Sequence, residues 1–388
     1  MPHDPLTAEQ REIRELVRTL ARERIEPRAA EIDKTAEFPW DIVQLFRENG
    51  IFSTLADEEH GGIGVSALQT LISIEEVSKV CATSGLILAV QELGAVALRL
   101  AASDEQKQRV LPKLASGEWL AGYALTEPGS GSDAAAMRSE ARRDGDDYVL
   151  NGSKRFITNA GVAHVYVCFA KTGPSAVTAF IVEAGTPGFQ VGRIEPKMGV
   201  KGSTTGEIFF DECRVPAANR LGEEGEGFRI AMRVLDRSRA GIAAQGLGIA
   251  QGATDYALEY AKGRETMGQP IARHQLVAGM LADMETRCAA GRGLLYSCAR
   301  RIDAGADGPE LAKLSAMTKL FCTDTAMQVT TDAVQVLGGY GYMQEYPVER
   351  MMRDAKVTQI YEGTNQIQRL VIAREMQRED RPFLYAGA

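Results

Sequence analysis

From residue 6 to about 118 the apolar positions recur at intervals of three and four, the spacing of helices with one buried face. Ile13, Leu16, Val17 and Leu20 make the first stripe, and Thr7 with Gln10 ahead of it forms a capping-box pattern. Ser66 with Gln69 and Ser103 with Gln106 repeat that start signal, while Gly50 and Gly117 stand where helices stop. Stripes of this kind are buried most simply in a helical bundle.

Between about 119 and 226 the period changes. Short β-branched or apolar runs (VAHVYVCFA, AVTAFIVE, FQVGRI, EIFFDE) are separated by Gly and Pro, which predicts a small antiparallel sheet or barrel. Asn151-Gly152, between YVL and KRFIT, reads as a hairpin turn. After Gly227 the helical period returns. The segment 228–262 holds Gly241, Gly246, Gly248 and Gly252, each costing roughly 1 kcal/mol against Ala in a helix, so close helix–helix approach is expected there. The chain thus divides into 1–118 (helical), 119–226 (β) and 227–388 (helical).

The 388 residues suit two or three domains, and 45% hydrophobic with 25% charged is ordinary globular composition. Acidic residues outnumber basic ones, 52 to 44, and no Lys/Arg cluster exceeds pairs such as Arg142-Arg143 and Arg300-Arg301. Nucleic acid is therefore not an expected partner. The six cysteines come no closer than Cys288 and Cys298, which is neither a zinc nor a CxxC spacing, so reduced thiols are expected. The polar start MPHDPLTAEQREIREL carries no secretory core, and no apolar run approaches the roughly 18 residues of a span, so neither a membrane nor export is expected and the cytoplasm is the default.

The four histidines at 3, 60, 164 and 274 include no ExxH pair, and GxSxG, P-loop and GxGxxG patterns are absent. Two other segments carry polar chemistry. YALTEPGSGSD, Tyr123 to Asp133, offers glycines for close backbone approach and the hydroxyls of Thr126, Ser130 and Ser132; alone, it reads equally as a plain Gly/Ser loop. In IYEGTNQIQRLVIAR, Glu362 sits in a short connection before a helix that Thr364 is placed to cap, an arrangement that also serves simple stabilisation.

Taken in order, TEPGSGSD, FITN, KMGVKGSTTGEIFFDECRVP, RETMGQPIARHQLV and QVLGGYGYMQEYPVERMMRDAKVTQIYEGTNQIQRL resemble the acyl-CoA dehydrogenase family over essentially the whole chain. The resemblance implies an α+β, mostly helical fold: an N-terminal helical domain, a central antiparallel β domain and a C-terminal four-helix bundle, assembled as a homotetramer with one FAD per subunit. It implies α,β-dehydrogenation of an acyl-CoA thioester, with Glu362 as the base and electrons passing to an electron-transfer flavoprotein. A second subgroup keeps its base on the long helix. The matching stretch here is LDRSR, with Ser238 at that position.

By the same resemblance Tyr123, Leu125, Thr126, Ser132, Phe156, Ile157 and Thr158 adjoin the flavin. Arg264, Thr266 and Gln275 reach a neighbouring subunit's FAD, while Gln335, Val336, Leu337, Gly338, Gly339, Thr364 and Gln366 complete the adenine and ribityl side of the cofactor. Substrate contacts fall on Ser132, Asp236, Arg239, Tyr361 and Gly363. Phe156 stands where the family has Trp, and Met267 where Phe is common; both stay apolar. Gln245 and Thr358 resemble the pocket floor of short-chain members, and the small Ala89 and Gly94 leave room beside it, which favours a short straight or branched acyl group. The alternatives are an oxidase of the same fold, told apart by turnover with oxygen alone, and a DNA-associated alkylation-response flavoprotein, against which the charge and the short tail after Arg374 argue. A nitroalkane oxidase resembles the family with Asp at the base position, where this chain has Glu362.

Overall fold

The computed structural model describes residues 6–378; His3 and the last ten residues of the tail after Arg374 lie outside it. Helices fill the first part: α1 (Ala8–Leu20), continued through one π turn at Ala21–Ile25 into α2 (Glu26–Thr35), then α3 (Trp40–Glu48), α4 (Ala67–Ser78), α5 (Ala82–Ala101) and α6 (Asp104–Ala115). The capping boxes of Thr7/Gln10 and Ser103/Gln106 are both formed. At Ser66 only half of one forms. Its hydroxyl accepts from the Gln69 N–H, while Asp303, from a distant helix, takes the N–H groups of Ala67 (2.6 Å) and Leu68 (3.2 Å). A carboxylate at a helix N-terminus satisfies orphan donors and the dipole together, leaving Gln69 nothing to do there.

Eight strands follow: β1 (Ala121–Ala124), β2 (Glu140–Asp144), β3 (Asp147–Thr158), β4 (Val165–Lys171), β5 (Val177–Glu183), β6 (Phe189–Ile194), β7 (Thr205–Pro216) and β8 (Arg220–Leu221). They form one open sheet in the order β6-β7-β3-β2-β4-β5-β8 rather than a closed barrel. Pairing is antiparallel, except that β1 and one position of β2 run parallel to β4. Asn151-Gly152 is not the hairpin turn. The chain reverses at Gly145-Asp146, and β3 continues through Gly152, whose φ of 138 accompanies a bulge opposite β7. A Cβ at Gly152 would lie 2.5 Å from Ser139 Oγ, so the glycine serves a close approach between strands.

The last part is α7 (Gly227–Gly263), a two-stranded ribbon of β9 (Glu265–Thr266) and β10 (Gln269–Pro270), then α8 (Gln275–Asp303), α9 (Gly308–Leu337), α10 (Pro347–Thr358) and α11 (Asn365–Arg378). Helix α7 packs along α9 and also against α4, α5 and α8. Its glycines are the means of that approach: a Cβ at Gly248 would lie 2.3 Å from the Glu75 carbonyl oxygen, and one at Gly252 would lie 1.9 Å from that of Lys79. One hydrophobic core runs through the helices into one face of the sheet, and a second fills its other face. Helix α5 is long and apolar enough to cross a membrane, which the reading of apolar runs passed over; 83% of that stretch is buried inside the molecule. All six cysteines are buried and free.

Candidate active site

A cleft of about 440 Å³ opens where α5, the sheet, α7 and the α10–α11 connection meet, within the size range of small-molecule sites. Twelve of the residues expected at the cofactor, base or substrate line it: Tyr123, Leu125, Thr126 and Ser132 from β1 and the loop after it; Phe156, Ile157 and Thr158 from the end of β3; Asp236 and Arg239 from α7; and Tyr361, Glu362 and Gly363. Ala89 lines it too, whereas Gly94 does not: a Cβ there would meet Ala121 at 2.4 Å, so its smallness seats α5 on β1.

Local structure aims these groups. Phe156 adopts φ 58 at a second irregularity of β3, between Lys154 and Ile157, and its ring is 59% exposed. A bulge of this kind re-aims a side chain, here toward the cleft. The Gly/Ser loop is anchored from below. Glu127 accepts from the N–H groups of Arg138 and Ser139, and from Lys154 Nζ at 2.7 Å, both charges being buried. A buried charge in the middle of a strand needs such a partner.

Glu362 occupies the turn before α11 with φ 57, a left-handed conformation uncommon outside glycine. Three side chains hold that turn. Gln368 Nε2 donates to the carbonyls of Glu362 (3.1 Å) and Gly363 (2.8 Å). Lys319 Nζ donates to the Gly363 carbonyl (2.9 Å) and to Asn365 Oδ1 (2.8 Å). Thr364 caps α11, accepting from the Ile367 N–H. The Glu362 carboxylate faces the cleft and accepts from Ser238 Oγ at 2.6 Å. Burial raises its pKa; the Ser238 hydroxyl, Arg239 and Lys319 oppose the rise. A carboxylate so placed is a candidate general base.

Two polar groups at the cleft lack partners among the described residues although buried: Tyr123 Oη and Arg239 Nε. Arg239 is tied through Nη1 to Asp236 at 2.7 Å. Buried orphans of this sort suit a polar ligand. Beside the exposed Phe156 ring, Thr126, Ser132 and Thr158 add hydroxyls, so the cleft offers an apolar face with hydrogen-bonding edges, the combination that a planar heteroaromatic ring requires.

The remaining residues lie elsewhere. Gln245 and Thr358 are buried outside the cleft lining: Gln245 Nε2 donates to the Ala82 carbonyl at 2.9 Å, its Oε1 accepts from Tyr361 Oη, and Thr358 donates to the Ala355 carbonyl. Arg264, Thr266, Val336, Leu337, Gly338 and Gly339 line a separate cleft of about 710 Å³. There the Arg264 guanidinium stands over Tyr340, and Met267 is 95% exposed. Gln275 and Gln335 are exposed and not part of its lining, and Thr364 and Gln366 border a third hollow with Asp324 and Arg369. A further groove of about 490 Å³ includes Arg18, Glu76 and Lys79, already paired with one another.

The sequence reading missed Lys319, Asn365 and Gln368. Lys319 did leave a signal: it falls on the α9 stripe of Ala312, Ala316, Thr323 and Ala326, where a lysine is out of place.

Comparison with known proteins agrees with this architecture. Family models described as the N-terminal, middle and C-terminal domains of acyl-CoA dehydrogenase match residues 7–118, 122–213 and 225–377. Cyclohexane-1-carbonyl-CoA dehydrogenase of Geobacter metallireducens is 47% identical over 375 residues, 96% of this chain and 98% of that protein. Butyryl-CoA dehydrogenase of Megasphaera elsdenii, 40% identical, superposes with a TM-score of 0.94 over 97% of this chain and 100% of its own. A chain in the structure reported as the electron transferring flavoprotein of Acidaminococcus fermentans is 43% identical, with a TM-score of 0.95 over the same shares. Matched from one end to the other in sequence and in fold, this chain belongs to the acyl-CoA dehydrogenase family of oxidoreductases.

Proposed function

We propose that the protein removes an α-proton and a β-hydride from a short straight or short branched acyl-CoA, giving the trans-2-enoyl thioester, with Glu362 as the base. The observation that carries this reading is the Glu362 carboxylate, desolvated at the cleft wall yet held by a hydroxyl donor, Ser238 Oγ at 2.6 Å. Burial brings a carboxyl toward working pH, and the donor keeps its ionised form accessible.

FAD is the cofactor of this family and, when bound, supplies the hydride acceptor. Tyr123, Leu125, Thr126, Ser132, Phe156, Ile157 and Thr158 would hold its ring system. Arg264, Thr266 and Gln275 would reach a neighbouring subunit's FAD in a homotetramer, in keeping with the separate cleft that Arg264 and Thr266 line, and Thr364, Gln366 and the stretch Gln335 to Gly339 would hold the adenine and ribityl side of the cofactor. The Glu362 backbone N–H has no partner among the described residues. It is free to donate to the thioester oxygen, where negative charge develops as the α-proton leaves. Asp236, Arg239, Tyr361 and Gly363 border the acyl thioester, and Leu86, Ala89, Val90 and Leu93 keep water from it.

Support for a short acyl group comes from Gln245, whose bonds to Ala82 and Tyr361 close the space behind the base, and from the butyryl-CoA and cyclohexane-1-carbonyl-CoA enzymes among the relatives. An electron-transfer flavoprotein as acceptor is supported by the Acidaminococcus structure, and the cytoplasm remains the expected location. The reading is tested by Glu362→Gln in a stopped-flow experiment over a panel of four- to sixteen-carbon and branched acyl-CoAs. Substrate should still bind and perturb the flavin spectrum, while reduction falls by roughly 10²–10⁴-fold. Reduction near the wild-type rate would overturn Glu362 as the base.

A further inference from the structure

Lys319 is wholly buried on α9, one turn before Thr323, on a stripe whose other members are small or apolar. Core packing alone does not call for it there. Removing an ammonium from water is costly, and a methionine would fill the same stripe without that cost. Its two hydrogen bonds end on one short stretch of chain: the Gly363 carbonyl at 2.9 Å and Asn365 Oδ1 at 2.8 Å. Asn365 in turn donates to Thr323 Oγ1 and Asp324 Oδ1. That stretch carries Glu362 at φ 57, a left-handed conformation that persists only where its surroundings fix it.

From this we infer that Lys319 is a positioning residue for the base: it clamps the turn that carries Glu362 and sets a cation facing the Glu362 carboxylate. The inference rests on Glu362 being the base. The clamp has two members on consecutive carbonyls, neutral Gln368 on Glu362 and Gly363, and cationic Lys319 on Gly363. Only the second can act on the charge of the carboxylate.

The charged groups facing Lys319 are Glu362 from the connection, Arg239 from α7 and Asp324 from its own helix. Burial lowers the lysine pKa to about 7, against which Glu362 favours its charged form, Arg239 opposes that form and Asp324 favours it. Reciprocally, the lysine cation favours the ionised carboxylate of Glu362. Losing the cation therefore raises the pKa of the base, and the acidic limb of the pH profile moves to higher pH.

The experiment compares wild type with Lys319→Met, purified with bound flavin, across pH 5.5–9 with the best acyl-CoA substrate. Flavin content should be unchanged. The acidic limb of kcat/KM should move up by roughly one pH unit, and kcat should fall more than KM rises. Lys319→Ala, prepared with ethylammonium to occupy the space left, should regain part of the rate and of the profile, and lose both when the amine is washed out. This second variant also serves if Lys319→Met does not accumulate folded. A wild-type profile in either flavin-loaded variant, or an Ala variant whose slow rate and shifted limb ignore the amine, would overturn the inference. Glu362→Gln run alongside separates the two readings: if it reduces flavin at the wild-type rate, the assignment of the base has failed; if it is inactive while Lys319→Met matches wild type, only the role of Lys319 has.

Discussion

Ser238 Oγ donates a 2.6 Å hydrogen bond to Glu362 Oε2, joining residues 124 apart in the chain. These are the two positions from which members of this family are expected to present their base, and in this chain the serine holds the glutamate. Ser238→Ala removes a donor that lowers the pKa of Glu362. The acidic limb of kcat/KM should move to higher pH, with the loss of rate greatest on that limb and smallest on its alkaline side. An unshifted limb would mean that the bond does not set the pKa of Glu362 in the free enzyme. Because the two side chains reach the same point, Ser238→Glu in a Glu362→Gln background should restore part of the rate of flavin reduction.

Stability should carry the mark of the same carboxylate. The pKa of Glu362 is raised above its ordinary value of 4.5 by burial. Between 4.5 and that raised value the folded state binds the proton more tightly than the unfolded chain, so this group weakens the fold as pH rises through the window. Glu362→Gln removes that dependence. Its melting temperature should exceed wild type by an amount that is near zero at pH 4.5 and largest by pH 8, and thermal scans giving the same difference at both values would contradict it.

Gln245 and Thr358 are both fully buried, and Gln245 is bonded to Tyr361 of the cleft wall. Replacing both by alanine opens space that an acyl chain can enter, and each added methylene is then worth about 0.8 kcal/mol. The best substrate should lengthen by two or more carbons. An unchanged profile would shift attention to Ala89 and Leu93 on α5.

Gly252→Ala should be strongly destabilising. A helix ordinarily gains about 1 kcal/mol from this change, but here the new Cβ would lie 1.9 Å from the Lys79 carbonyl oxygen, a backbone atom that cannot swing aside. Overpacking of that kind costs roughly 1–3 kcal/mol or more and should lower the melting temperature by several degrees. A melting temperature at or above wild type would show that α4 and α7 can separate without cost.

The sequence by itself determined the element types and most of their limits. Thr7, Ser103 and Gly50 act within one turn of chain, so their meaning does not depend on anything distant. It also named about half of the residues that line the Glu362 cleft, Glu362 among them, because motif order along the chain preserves which segments meet. Tertiary structure decided what depends on partners far away in the chain. Asn151-Gly152 looked like a turn, but pairing along β7 and the nearness of Ser139 kept it inside a strand. Gln69 lost its capping role to Asp303, from another helix. Gly94 proved to seat α5 on β1. The protonation of Glu362 depends on Ser238, Arg239 and Lys319, which the chain places 124, 123 and 43 residues away and only folding brings to one carboxylate. Local propensity acts over a few residues, whereas burial and charge act across space, so the pattern was legible along the chain and the electrostatics of Glu362 were not.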